Sequence, residues 1–185
     1  MAIPRLSRRT RKLVLTVHVV SSVGWLGAAL AMLVLVVATL LTRDAELRRA
    51  SYLVMNLFDS ALVLPIGALA LLSGVVISLT THWGVLKHYW VVIKLVLTVI
   101  VFALPLVLRS PQIDEAVART ATPEAEGASF GGDLIMPGVM SVLVLTVTTV
   151  LSTYKPWGRT PIGRRAAERS TPAARRATER RVTTG

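Results

Sequence analysis

Residues 12–42 read KLVLTVHVVSSVGWLGAALAMLVLVVATLLT. After Lys12 no side chain carries a formal charge until Arg43, and the run holds one histidine, His18, and one tryptophan, Trp25. A helix rises about 1.5 Å per residue, so about 20 residues cross a hydrocarbon core of about 30 Å. This run is longer than that. A basic cluster, Arg8, Arg9, Arg11 and Lys12, stands just before it. A secretory signal has an apolar region of only about 7–15 residues and ends at a small-residue cleavage site. The stretch offers no such end, and it reads as an uncleaved first transmembrane helix spanning residues 13–42.

Three more blocks meet the same length: residues 52–81, charged only at Asp59; 88–108, charged only at Lys94; and 134–154, uncharged. In lipid each must satisfy its own backbone, so all four are expected to be helices. The expected fold class is therefore all-α: a polytopic four-helix membrane bundle over residues 13–154. A basic segment, 1–12, precedes it and a basic tail, 155–185, follows. The tail has almost no large apolar residues and is expected to be disordered. The connection 109–133 is acidic and is expected to hold a short helical piece near 113–118. Pro65 and Pro105 should kink their helices, and Pro137 suits a helix start. Small residues at four-residue spacing, among them Gly24–Ala28 and Ala70–Gly74, let helix backbones approach closely.

The whole chain agrees. Its 185 residues are 53% hydrophobic with mean hydropathy +0.62, too apolar for an ordinary soluble domain. With 21 Lys+Arg against 10 Asp+Glu the net charge is +11. That excess could suggest nucleic acid, but the charges lie between and after the apolar blocks, as topology signals do. No nucleic-acid partner is expected. The two termini and the second connection hold fifteen Lys and Arg, the first and third connections five. The bias places both termini in the cytoplasm and the chain in the cell membrane, as a multi-pass protein. Expected partners are membrane lipids, with anionic lipid at the basic termini; homo-oligomerisation or a membrane-protein partner stays open. There are no cysteines, which excludes disulfides, thiolate metal sites and covalent haem.

Polar groups at membrane depth need a reason, since a mid-bilayer charge costs about 2.5–3.5 kcal/mol even on a lenient scale. His18 is followed by Ser21, Ser22 and Trp25 at i+3, i+4 and i+7, a polar stripe that should face the bundle. It suits a haem or metal ligand, a proton or quinone contact, or a neutral histidine bonded to a neighbouring helix. Lys94, with Trp90 at i−4, could meet an anionic ligand such as a porphyrin propionate; snorkelling to the cytoplasmic headgroups is the favoured reading. Asp59, flanked by Asn56 and Ser60, is read as structural, with Lys94 a candidate partner. His82 and His88 read as interface residues. Met32, Met55, Met136 and Met140 fall near the outer face and are either core fillers or soft copper ligands.

These residues carry two resemblances. HVVSSVGWLG at 18–27 resembles the opening helix of an uncharacterised bacterial four-helix membrane family, common in actinobacteria. YKPWGRTP at 154–161 looks like the Y-K-P-x-G-R that follows that family's last helix. More distantly, the chain is similar to four-helix membrane protoporphyrinogen oxidases and to copper-resistance D-type membrane domains. The oxidases pair H-x(6)-W with W-x-x-x-K-L, here His18, Trp25, Trp90, Lys94 and Leu95. That resemblance implies haem b, with His18 as ligand and Lys94 as an essential basic residue. Three functions compete: a structural or partner-binding bundle, a haem-b or quinone-linked redox protein using His18 and Lys94, and a small permease or copper-handling component using Asp59 and the outer methionines. The first is the default, because no catalytic constellation closes within the sequence.

Overall fold

The computed structural model describes residues 7–80, 85–104, 106–107, 110–120, 131–154 and 157–169. The chain begins with α1 (Arg8–Leu41), started by Ser7, whose hydroxyl accepts from the Thr10 N–H. At about 1.5 Å per residue it is about 50 Å long, more than a bilayer core requires. A three-residue turn leads into α2 (Ala45–Phe58). Asp44 caps α2, its carboxylate accepting from the Glu46 and Leu47 N–H groups at 2.8 and 3.3 Å. Arg48 closes the turn from the other side, its Nη2 donating to the Thr42 carbonyl at the end of α1 (2.8 Å). The first connection is thus far shorter than the nine residues between the expected spans, because a polar first half of α2 continues the second span beyond its apolar part.

One π-helical turn, Asp59–Val63, joins α2 to α3 (Leu64–Thr80). The reason lies in Pro65, which has no N–H to donate and whose ring crowds the carbonyl one turn earlier. The extra residue of a π turn widens the backbone there. After α3 the chain turns into α4 (Tyr89–Leu104), whose first N–H groups are held by the His88 carbonyl. Next come α5 (Ser110–Arg119) and α6 (Gly131–Tyr154). Pro137 lies inside α6, not at its start. Gly131, Gly132 and Asp133 supply the first turn instead, where the carboxylate suits the positive helix end. Pro105, His82, the loop 121–130 and the tail from 170 on lie outside the described residues.

The fold is all-α, and no strand occurs among the described residues. Among the described residues three helices are long and apolar enough to cross a membrane, Arg8–Leu41, Ala45–Thr80 and Gly132–Tyr154; Tyr89–Ala103 is a shorter apolar helix. The helices form a square. α1 packs on α3 and α6, and α4 packs on α6 and α3, so α1 and α4 face each other across the diagonal. Outward faces are apolar, with Val20, Val23, Val34, Leu72, Val96 and Leu143 exposed, as lipid demands. α5 covers α2 at one end of the bundle. There Met32, Val36, Thr39, Tyr52, Met55, Ile113, Ala116 and Leu134 form the most deeply buried part of the core.

Part of the tail that is expected to be disordered is helical. Residues 161–169 form α7 (Pro161–Arg169), and Thr160–Pro161 is the signal that marks it: a capping threonine, then proline at the first helical position.

Candidate functional site

His18 points from α1 at α3. Its Nδ1 lies 2.9 Å from the Ala70 carbonyl and 3.1 Å from the Ser73 hydroxyl. A carbonyl only accepts, so Nδ1 carries the proton. Ser73 spends its own hydrogen on its helix, at the Leu69 and Ala70 carbonyls (2.6 and 3.1 Å), and is left to accept from the ring. The ring fits because residue 74 is glycine: a Cβ there would sit 2.9 Å from His18 Cε1. Ser73 and Gly74 were not singled out for this role in the sequence. Gly74 was legible only as part of a small-residue spacing, and Ser73 had no signal beyond its place beside it.

The rest of the α1 stripe turns inward as its spacing requires. Ser21 is buried and donates to the Val17 and His18 carbonyls of its own helix, at 2.8 and 3.2 Å. Ser22 is half-buried. Trp25 is buried and meets Phe102 of α4 edge-on across the diagonal, centroids 6.1 Å apart and planes at 79°. Both rings lie over Gly67, where a Cβ would come within 3.0 Å of Trp25 Cε2 and 3.1 Å of Phe102 Cδ2.

Lys94 is half-buried on α4, and its Nζ donates to Ser152 Oγ of α6 at 2.6 Å. Ser152 lies two residues from the end of α6, so the lysine reaches toward that end of the bundle and meets a neighbouring helix there. It is bonded to Ser152 rather than to Asp59. Trp90 is buried, its ring tilted against His88 at 6.4 Å. His18 with Ser73 and Lys94 with Ser152 are two interhelical pairs, and all four residues lie in the halves of their helices nearer the end where α1 starts and α6 stops, a polar level of the bundle.

Asp59 and Asn56 stand elsewhere. Asp59 is buried in the π turn, and Asn56 donates to Asp114 of α5. The methionines diverge: Met32 and Met55 fill the core, while Met136 and Met140 are exposed on the outside of α6. Among the described residues no three His, Cys, Asp or Glu side chains gather as a metal site would need.

A family model described as a predicted integral membrane protein, DUF2269, matches residues 12–156. The chain belongs to the DUF2269 family. The match runs from Lys12, at the foot of the first span, to Pro156, just past α6, and so takes in every span and the polar level. The family description names an integral membrane protein and no activity, which agrees with the reading of the chain as an integral membrane protein of unassigned activity. No curated protein and no solved structure matches the chain.

Proposed function

We propose that this chain is a non-enzymatic, structural or partner-binding membrane bundle, whose intramembrane polar groups join its own helices. It crosses the cell membrane with both termini in the cytoplasm, and its basic ends meet anionic lipid. The observation that supports this reading is the pairing at the polar level. His18 binds α1 to α3 through Ala70 and Ser73, and Lys94 binds α4 to α6 through Ser152. Interhelical bonds of this kind contribute about 0.6 kcal/mol on average and up to about 1.7 in membrane proteins. His18→Ala and Ser152→Ala should each lower unfolding stability in detergent by about that much. A variant with unchanged stability but altered ion flux in proteoliposomes would overturn the reading.

One observation favours a second reading, a haem-b or quinone-linked redox protein. With Nδ1 committed to Ala70, Nε2 is the nitrogen left to act as a ligand, and a backbone-anchored imidazole is the usual arrangement of ligating histidines. His18 would then hold the iron and Lys94 an acidic substituent; the group would supply one-electron chemistry. Purified protein that shows a Soret band lost in His18→Ala would establish this second reading in place of the first.

A further inference from the structure

The segment after α6 folds back on the turn between α3 and α4. Trp157 adopts a left-handed backbone (φ 66°). Thr160 then docks on the turn: its N–H donates to the Lys87 carbonyl at 2.9 Å and its hydroxyl to the Leu86 carbonyl at 2.5 Å. The same hydroxyl accepts from the Gly163 N–H at 3.1 Å, capping α7. Only glycine fits at 163, since a Cβ would lie 2.2 Å from the Lys87 carbonyl oxygen. His88 and Arg159 pair their backbones beside it. The turn and the first part of α7 are thus one hydrogen-bonded plate.

The plate presents two kinds of side chain. Leu86, Trp157 and Ile162 are 55%, 60% and 57% exposed. Lys87, Arg159, Arg164 and Arg165 are exposed among them. Apolar wedges ringed by cations, at the level where α6 leaves the bundle, have the chemistry of an interfacial helix. Arginine adds forked donors that match phosphate.

We propose that this plate is a lipid-docking surface: Trp157 and Ile162 enter the headgroup boundary and the surrounding cations bind anionic lipid phosphates. It rests on the cytoplasmic placement of the termini proposed above and specifies which element makes the lipid contact. Because the chain lacks cysteine, Ile162→Cys gives a unique spin-label site. The label is read in nanodiscs of phosphatidylcholine with phosphatidylglycerol, and in phosphatidylcholine alone, by its access to dissolved oxygen against aqueous nickel chelate. With phosphatidylglycerol the label should be oxygen-accessible and shielded from nickel. Adding Arg164→Gln and Arg165→Gln should shift the population toward water by about fivefold per arginine. Phosphatidylcholine alone should shift it the same way, and Thr160→Val should release the label by unfastening the plate. A label in water with phosphatidylglycerol present, or equally embedded in both lipids, overturns the proposal. Reaction of Ile162→Cys with an impermeant thiol reagent added outside intact cells would instead refute the cytoplasmic placement, a separate result.

Discussion

Gly74 and Gly67 each make room for an aromatic or imidazole ring at a helix contact. At Gly74 the imidazole of His18 occupies the space of a side chain, and at Gly67 the rings of Trp25 and Phe102 do so. Gly27 belongs to the same spacing pattern, yet nothing lies within 4 Å of a Cβ placed there. Gly74→Ala must displace the ring against helix backbone, and overpacking of this kind costs about 1–3 kcal/mol. Gly27→Ala adds helix propensity without a clash and should be neutral or stabilising by up to about 1 kcal/mol. Thermal unfolding of the two variants in the same detergent checks both. Equal losses would show that the His18 ring is not seated against Gly74. Spacing alone could not separate the two positions, because that depends on which helix comes to lie opposite. His18 itself was legible as an inward residue: the Ser21 and Trp25 positions fixed its face, and both are buried.

Among the elements, the second span departs most from its sequence reading. Its apolar part was evident, but α2 begins at Ala45 with a run of charged residues. Hydropathy sees where lipid begins, not where a helix begins. The capping Asp44 was the available signal. Asp44→Ala should lower stability by about 1 kcal/mol and loosen the α1–α2 turn, seen as faster amide exchange at Glu46 and Leu47. Unchanged exchange there would show that the carboxylate is dispensable to the helix start. Pro65 signalled a kink, and the π turn before it is how the helix accommodates the missing donor. At the other end of the chain composition misled: α7 has too little apolar surface to fold alone, and it is fixed by bonds from Thr160 to a distant turn. A contact across that sequence separation leaves no trace in local composition.

On the scale of the whole molecule, hydropathy and charge carried the fold class: an all-helical membrane protein needs only long apolar runs and uneven Lys and Arg to be recognised. The same simplicity hides function, since lipid-facing sequence is alike whatever the bundle does. What distinguishes this chain is its polar level, and it is built of pairs: His18 with Ala70 and Ser73, Lys94 with Ser152. We propose that these pairs join helices and carry no prosthetic group. The direct measurement is the absorption spectrum of the protein purified in mild detergent from cells supplied with haem precursor, through the Soret and visible regions, before and after dithionite. Only the aromatic ultraviolet band is expected in both states. A haem-b spectrum that disappears in His18→Ala would contradict this proposal and make His18 a ligand rather than a joint.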